Sequence, residues 1–233
     1  MIHIGLCTDN RYAMPCGVCV TSLFENNKDE EITVYVLEKG LTDDNKEKFL
    51  TLAADYGQKI ELIPVDDSLF KGYPTTHQFR LSTYYRFLFA NILPKGVQKL
   101  IYLDCDTLVL DSLRELWNTD VTDYSIAAVE DQQGDNVHVF NRLQEIEKYY
   151  NSGVLILNLA RWRKDDSMRH LIHLMDTDAK RFVFLDQDAI NLLFRDSVLE
   201  LPYQYNVQNM FYMKDKEKAL IPQHYYKYNF LST

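Results

Sequence analysis

Two aspartates interrupt an otherwise apolar stretch, which reads KLIYLDCDTLVL at residues 99–110. Asp104 and Asp106 are one residue apart, and on a β-strand such side chains share one side, about 6–7 Å from each other. Burying two carboxylates without partners would cost free energy. A divalent cation could bind both, because carboxylate oxygens suit Mg²⁺ and Mn²⁺. The other interpretation is a strand that ends at Leu103, followed by two solvated aspartates in a turn. Spacing alone leaves both interpretations open.

A second candidate for chemistry is the C-x-x-C pair formed by Cys16 and Cys19. It follows a strand-like run and opens a predicted helix, which is the setting of thioredoxin-like redox motifs. However, Pro15 stands where such motifs usually carry an aromatic residue. We therefore favour two helix cysteines without a redox role, in a chain that stays reduced.

The first 65 residues alternate between strand-like and helix-like periodicity, and the helix at 42–57 opens on a Thr/Asp capping signal. The predicted elements are strands at 2–7, 31–38 and 58–65 and helices at 13–26 and 42–57. This alternation is typical of a parallel sheet covered by helices.

The remainder of the chain continues the alternation less regularly. It reads as a loop at 66–80, a helix at 81–94, a strand from 99, a short helix at 112–118, a strand at 123–131, a partly helical stretch at 132–148, a strand running into a helix at 151–162, and an acidic turn and helix at 182–194. We expect an α/β fold whose mixed, mostly parallel central sheet is flanked by helices. In such sheets ligands bind at the carboxyl ends of strands, where Asp104 and Asp106 lie.

Composition narrows the function classes. The 233 residues carry 34 acidic against 25 basic side chains, a net charge of −9, which disfavours nucleic acid as a partner. No apolar run approaches the roughly 20 residues that span a bilayer. The expected location is the cytoplasm. Peripheral attachment at the inner membrane face is left open, although the sequence supplies no argument for membrane association.

Two enzyme families carry a D-x-D motif after an apolar strand. The motif of haloacid dehalogenase-like phosphatases does not match, because Thr107 follows Asp106 one place too early and the motif lies far from the amino terminus. The wider sequence resembles glycosyltransferase family 8, which includes bacterial lipopolysaccharide galactosyl- and glucosyltransferases and glycogenin. The resemblance covers nearly the whole chain, through five blocks in order: IGLCTDNRYAM, STYYRFLFANILP, KLIYLDCDTLVLDSLRELWNTD, YYNSGVLILNLARWR and LDQDAINLLF.

The resemblance implies a fold and an activity. The fold is the GT-A nucleotide-diphospho-sugar transferase fold, with residues 1–202 as the catalytic domain and 203–233 as its tail. The activity is retaining, metal-dependent transfer of glucose or galactose from a UDP-sugar to a glycan acceptor, such as a surface polysaccharide or lipopolysaccharide. The implied cofactor is Mn²⁺ or Mg²⁺. Three alternatives remain: a D-x-D phosphatase, a UDP-binding module without turnover, and a C-x-x-C redox protein.

The resemblance also implies how the nucleotide is held. Asp9 would accept a hydrogen bond from the uracil edge, and Tyr12 would stack on the base. Arg86 would lie over the donor sugar and the phosphates. Asn10 and Arg11 depart from the acidic/Asn pair common in the family, so we expect these nucleotide contacts to differ in detail.

The remaining implied roles concern the metal and the sugar. Asp104 and Asp106 would bind the metal, and Asp104 would also contact the ribose. Asp131 and Asn151 would lie around the donor sugar and acceptor. Asp186, Gln187 and Arg86 form the predicted catalytic set, with Asp186 on sugar hydroxyls and Gln187 beside the anomeric carbon. Asp188 is expected to cap the following helix.

The chain departs from the family at its carboxyl-terminal end. The family motif H-x-x-G-x-x-K-P-W supplies a third metal ligand and a phosphate-binding lysine, but this sequence ends IPQHYYKYNFLST. Either the chain ends before that motif, which is the preferred interpretation, or His224 and Lys227 replace its His and Lys.

Overall fold

The computed structural model describes residues 1–76, 80–131 and 137–208. Seven strands form one sheet in the order β3-β2-β1-β4-β6-β5-β7. The strands are β1 (Ile2–Asp9), β2 (Ile32–Lys39), β3 (Lys59–Pro64), β4 (Lys99–Leu103), β5 (Ile126–Glu130), β6 (Tyr150–Asn158) and β7 (Val198–Glu200).

The helices pack on both faces of this sheet. They are α1 (Ala13–Glu25), α2 (Asp43–Asp55), α3 (Phe89–Ile92), α4 (Arg114–Asn118), α5 (Val137–Arg142), α6 (Leu159–Lys164), α7 (Ser167–Asp178) and α8 (Asp186–Phe194). Short 3₁₀ helices occur at Asp67–Phe70, Leu81–Leu88, Ala179–Arg181 and Tyr203–Tyr205. The predicted α/β architecture is confirmed.

The predicted βαβαβ unit is present in the first 64 residues, and local sequence explains it. β1 and β2 are buried on both sides, as expected for inner strands of a sheet covered by helices. The Thr42 hydroxyl caps α2 by accepting a hydrogen bond from the backbone N–H of Asn45, at 3.3 Å. Because Gly5 has no side chain, Leu100 and Phe89 can pack closely against β1. A Cβ at this position would lie 2.6 Å from the Leu100 side chain and 2.7 Å from Phe89.

One antiparallel strand decides where the two halves of the sheet meet. β1 is parallel to β2 and β4, but β6 is antiparallel to both β4 and β5. The amino end of β6 therefore lies at the same edge as the carboxyl ends of β1, β4 and β5. The sheet is mixed and mostly parallel, as predicted.

The sheet separates two hydrophobic cores. Alternation along β4 directs Tyr102 into one core and Ile101 into the other. Trp162 of α6 is buried in the first core, where it stacks on Phe194 of α8 at 5.0 Å between ring centroids. Phe24 of α1 is fully buried in the second core.

Some predicted elements are corrected by the structure. The predicted helix at 81–94 is a 3₁₀ helix up to Leu88, followed by the single turn of α3. The strand that begins at residue 99 ends at Leu103, and in the segment that follows Cys105 and Val109 are buried in the core, while Leu108 and Leu110 are exposed. Helix α7 and strand β7 are not among the predicted elements.

The division at residue 202 stays a prediction. Among the described residues, no helix combines the length and the apolar character needed to cross a membrane.

Candidate active site

A cleft of about 270 Å³ opens at the edge of the sheet where the carboxyl ends of β1, β4 and β5 meet the amino end of β6. Every predicted site residue except Asp9 lines it, and Asp9 is bonded to a lining residue, Arg80. The antiparallel strand β6 explains the convergence, because it brings Asn151 beside Asp104. The predicted site residues in the cleft are Tyr12, Arg86, Asp104, Asp106, Asp131, Asn151, Asp186 and Gln187.

Arg86 lies at the centre of the cleft wall and is 4% exposed. Its Nη2 donates to Asp104 Oδ1 at 2.8 Å, and its Nε lies 3.0 Å from Asp186 Oδ2. Its Nη1 donates to the carbonyl and hydroxyl of Ser152, while Nε donates to the Thr83 carbonyl. The guanidinium carbon lies 4.3 Å from the centroid of the Tyr102 ring. Two ion pairs therefore stabilise the charge of a buried arginine and fix its orientation.

Asp104 follows β4 directly and has two differently occupied oxygens. Its Oδ1 accepts from Arg86 and from the Tyr102 hydroxyl, at 2.7 Å in the latter case. Its Oδ2 accepts no hydrogen bond from the described residues and faces Gly153, where an added Cβ would lie only 3.1 Å away. One carboxylate oxygen therefore remains available for a ligand in the cleft.

Asp106 is exposed and shares the cleft with Asp104. Partial desolvation, and after it the charge of Asp104, raises the pKa of the Asp106 carboxyl. A divalent cation between the two carboxylates would oppose both effects, and hard oxygen ligands suit Mg²⁺ or Mn²⁺. The donor chemistry and the available oxygen of Asp104 thus fit such an ion.

The described residues supply only part of a metal shell. Within residues 1–76, 80–131 and 137–208, no group of three or more His, Cys, Asp or Glu side chains is arranged to hold a metal. Mg²⁺-type sites often use one or two carboxylates and complete the shell with water and substrate phosphates. His224 and Lys227 lie outside the described residues.

Gln187 belongs to a second network of buried polar groups. Its Nε2 donates to Asp131 Oδ2 at 3.0 Å, and its Oε1 accepts from the backbone N–H and the hydroxyl of Ser152. The same Asp131 oxygen accepts from Asn151 Nδ2 at 2.9 Å. Because Ser152 also binds Arg86, this network is continuous with the Arg86 cluster.

Asp186 and Gln187 begin helix α8 directly after a strained residue. Leu185 has φ 48° and ψ −107°, a backbone conformation that a leucine rarely adopts, and it is buried. Asp186 is 2% exposed, and its Oδ2 accepts no hydrogen bond from the described residues although it pairs with Arg86. Burial, only partly offset by Arg86, raises the pKa of Asp186 to about 7.

Asp188 holds this turn in place but does not cap the helix. It lies inside the first turn of α8, and Leu185 occupies the capping position. Its Oδ2 accepts from the backbone N–H groups of Val183 and Phe184 and from Arg142. Its Oδ1 accepts from the Tyr149 hydroxyl. The predicted cap is wrong because the carboxylate binds the loop before the helix instead.

Asp9 and Tyr12 lie where β1 turns into α1. Asp9 Oδ1 accepts from the backbone N–H groups of Arg11 and Tyr12, and Oδ2 accepts from Arg80 Nη1 at 3.3 Å. Tyr12 is 39% exposed, so its ring is available to a planar ligand. Asn10 points away, accepting from Thr42 N and Asn45 Nδ2.

The four cysteines are free and buried. A hydrogen bond with Cys105, and then burial, raises the pKa of Cys16. Burial raises the pKa of Cys19 to about 12. Thiolates, not thiols, are the reactive form, so the structure favours the interpretation of these residues as packing groups rather than a redox pair.

Three residues that line the cleft and contact its predicted residues were not predicted from the sequence. They are Ser152, which joins Arg86 to Gln187, Tyr102, which supports Arg86 and Asp104, and Arg80. Ser152 could have been suspected from its place in the NSG block. Alternation on β4 could have pointed to Tyr102, which is two residues before Asp104. Arg80 carried no local signal.

Known proteins resemble this chain in sequence and in fold. The family model described as "Glycosyl transferase family 8" matches residues 3–226. General stress protein A of Bacillus subtilis is 31% identical over 226 residues, which are 95% of this chain and 79% of that protein. A lipopolysaccharide 1,2-glucosyltransferase of Escherichia coli is 29% identical and covers 85% of this chain, which spans only 60% of that enzyme.

Among solved structures, the galactosyltransferase LgtC in complex with donor and acceptor sugar analogues superimposes with a TM-score of 0.80. It is 28% identical, over 87% of this chain and 74% of that one. The predicted GT-A fold is thereby confirmed, as is the predicted enzyme class, a hexosyltransferase. The chain belongs to glycosyl transferase family 8.

Proposed function

We propose that the protein is a retaining, metal-dependent glycosyltransferase that moves glucose or galactose from a UDP-sugar to a hydroxyl of a glycan acceptor. The observation that carries this proposal is the cluster around Arg86. One buried guanidinium joins Asp104, which has an oxygen available for a cation, to Asp186, whose buried Oδ2 accepts no hydrogen bond from the described residues. A site that binds a metal diphosphate beside a polyhydroxylated group requires such an arrangement.

The donor nucleotide would lie along β1 and α1. In our proposal Asp9 accepts the N–H of uracil and Tyr12 stacks on the ring, while Asp104 also contacts the ribose. Asp104 Oδ2 and Asp106 would hold Mn²⁺ or Mg²⁺. The bound cation would neutralise charge that develops on the leaving diphosphate.

The donor sugar would lie between Arg86 and the start of α8. The buried Asp186 Oδ2 suits a sugar hydroxyl, because a hydrogen bond from that hydroxyl would satisfy an oxygen that now accepts none. Asp131 and Asn151 border the same space and would contact the sugar or acceptor. Arg86 would stabilise negative charge on the phosphate as the glycosidic bond breaks, without having to reorient.

The hydrogen bonds that Gln187 already makes limit the part it can play in the reaction. Its Oε1 already accepts two hydrogen bonds from Ser152, and an amide is a poor nucleophile. A covalent intermediate on a carboxylate, as in retaining glycosidases, is therefore disfavoured at this residue. We propose attack by the acceptor hydroxyl on the same face as the departing phosphate, with a phosphate oxygen accepting the proton.

The acceptor is proposed by analogy alone. Relatives in Escherichia coli and Salmonella typhimurium are named lipopolysaccharide glucosyl- and galactosyltransferases. A surface polysaccharide or lipopolysaccharide is therefore the acceptor class to examine first. We also propose residues 1–202 as the catalytic domain and 203–233 as its tail.

The test is calorimetric titration of UDP with and without Mn²⁺, on the wild type and on Asp106→Ala. We expect binding that requires Mn²⁺ and that the substitution weakens at least tenfold. Metal-independent binding, or binding that Asp106→Ala leaves unchanged, would contradict the proposal. Asp111→Ala is a matched control, because Asp111 is exposed and lies outside the cleft.

The alternatives predict other results. A UDP-binding module would bind UDP with Mn²⁺ but would neither transfer nor hydrolyse the donor sugar. A D-x-D phosphatase would release phosphate from simple esters without UDP-sugar, and membership of family 8 argues against it.

A further inference from the structure

We infer that Arg80 binds the donor diphosphate directly, and that its ion pair with Asp9 holds it ready in the absence of nucleotide. The inference rests on the proposed function, since it takes a nucleoside diphosphate as the ligand. It assigns a role to a residue that no sequence motif indicates.

The charge in the cleft creates the need for such a residue. Carboxylates line it on several sides, at Asp104, Asp106, Asp131 and Asp186. Among the described lining residues, only Arg80 and Arg86 carry fixed positive charges. A divalent cation adds positive charge, but a diphosphate also needs hydrogen-bond donors for the oxygens that do not reach the metal.

Arg86 has few donors to offer. Its Nε, Nη1 and Nη2 groups all donate within the protein, to Thr83, Ser152 and Asp104 respectively. Two carboxylates already compensate its charge, and it is almost fully buried. Arg86 can therefore contribute its field to a phosphate and at most one direct hydrogen bond, from the second N–H of Nη2, because its other N–H groups already donate within the protein.

Arg80, in contrast, is partly exposed and has guanidinium N–H groups that donate to none of the described residues. Its side chain is 33% exposed, and within the described part of the chain it makes one hydrogen bond, from Nη1 to Asp9 Oδ2 at a long 3.3 Å. Its Nε and Nη2 donate to none of the described residues. The backbone is nevertheless fixed, because Arg80 precedes the 3₁₀ helix that carries Arg86 and its carbonyl accepts from Thr83 N at 3.0 Å. A planar guanidinium with unused donors, on a fixed backbone at the edge of the cleft, suits bidentate contact with phosphate.

The shared oxygen of Asp9 links base and phosphate recognition. Asp9 Oδ1 is committed to the backbone of Arg11 and Tyr12, so Oδ2 is the oxygen that an incoming base can approach. A base N–H that donates to Oδ2 competes with Arg80 for that oxygen. Displaced from Asp9, the guanidinium can turn toward the phosphates, so one contact is exchanged for another and no buried charge is left unpaired.

The experiment compares ligands that differ only in phosphate. Uridine, UMP and UDP are titrated calorimetrically, by competition where binding is weak, with Mn²⁺ present throughout. The variants are Arg80→Met and, as a control, Lys39→Met, which removes one positive charge from a partly exposed position at the same edge of the sheet that does not line the cleft. For Arg80→Met we expect UDP affinity to fall about tenfold or more, as for loss of a charge-assisted hydrogen bond. Uridine affinity should stay the same or rise, and Lys39→Met should change UDP affinity less than about twofold.

Three results would overturn the inference. UDP and uridine affinity could fall together in Arg80→Met, in which case Arg80 only anchors the loop that holds the base. Lys39→Met could lower UDP affinity as much as Arg80→Met, which would indicate an effect of general charge rather than of direct contact. UDP affinity could also be unchanged in Arg80→Met.

Two further outcomes stay distinguishable. Should Arg80→Met not fold, Arg80→Gln replaces it, because glutamine can still donate to Asp9 while it lacks the charge, and the same UDP-to-uridine ratio decides. If the wild type itself fails to bind UDP with Mn²⁺, the proposed function fails first and the role of Arg80 with it. If the wild type binds UDP with Mn²⁺ and the ratio of UDP to uridine affinity is unchanged in the Arg80 variants, the role of Arg80 is overturned and the proposed function is not.

Discussion

The two sides of the cleft hold their functional side chains in different ways. On the sugar side, defined by Arg86, Asp131, Ser152, Asp186 and Gln187, the side chains are largely buried and joined in one hydrogen-bonded network. On the base side, defined by Asp9, Tyr12 and Arg80, they are partly exposed, and one long ion pair, between Arg80 and Asp9, joins two of them.

This contrast indicates which side chains the protein holds in position before a ligand binds. Groups that act on a breaking bond must not reorganise during the reaction, and a buried, interlocked network meets that need. A base and its phosphates can be held by contacts that form on binding. We therefore expect substitutions on the sugar side to lower stability and substitutions on the base side to lower affinity.

The largest expected effect is on the sugar side, in Arg86→Met. This change leaves Asp186 and Asp104 without their shared cation, and breaking a buried ion pair in this way costs about 3–5 kcal/mol of unfolding free energy. Urea unfolding measures it. The control is Arg169→Met, which removes an exposed arginine paired with Asp166 on the surface and should cost under about 1 kcal/mol. Equal losses in the two variants would contradict the division into two sides.

The next effect is a pH dependence caused by Asp186. Its pKa is raised to about 7, so between the unfolded value near 4 and the folded value the native state binds the proton more tightly. Stability relative to Asp186→Asn should therefore fall as pH rises from about 4 to about 7 and stay level above that. Urea unfolding of both proteins at several pH values tests this expectation. A difference that does not vary with pH would mean that Asp186 is ionised throughout.

A smaller effect is expected where the two sides meet, at Gly153. A Cβ there would lie 3.0 Å from Asn151 Oδ1 and 3.1 Å from Asp104 Oδ2, so Gly153→Ala must displace one of them. We expect a loss of about 1–3 kcal/mol in unfolding free energy, together with weaker Mn²⁺-dependent UDP binding. Gly96→Ala is the matched control, because a Cβ at Gly96 meets nothing within 4 Å. Unchanged UDP binding in Gly153→Ala would argue against Asp104 as a metal ligand.

The sequence predicted the elements better than their contacts, and the reason is physical. Periodicity and capping are local, so the βαβαβ unit and the cap at Thr42 could be recognised from a few neighbouring residues. Hydrogen bonds between residues far apart in the chain have no local sequence signal, as with Arg80 and Asp9 or Arg142 and Asp188.

The site shows the same limit. Spacing makes Asp104 and Asp106 candidates without deciding between a metal site and a solvated turn, and the resemblance to family 8 supplies the other candidates. Neither could reveal that an antiparallel strand would bring Ser152 between Arg86 and Gln187. Nor could they reveal that Asp188 would bind the loop before its helix, because that contact depends on the strained turn at Leu185.

The smallest effect is expected on the base side, in Tyr12→Ala. Tyr12 is 39% exposed and its side chain makes no hydrogen bond with the described residues, so unfolding free energy should change by less than about 0.5 kcal/mol. UDP affinity should fall by about 1 kcal/mol, roughly fivefold, the lower end for stacking of a base on an aromatic ring. Tyr12→Phe keeps the ring and should bind UDP like the wild type. If Tyr12→Ala lowers stability more than it lowers affinity, then the base side is as interlocked as the sugar side, and the contrast between them does not hold.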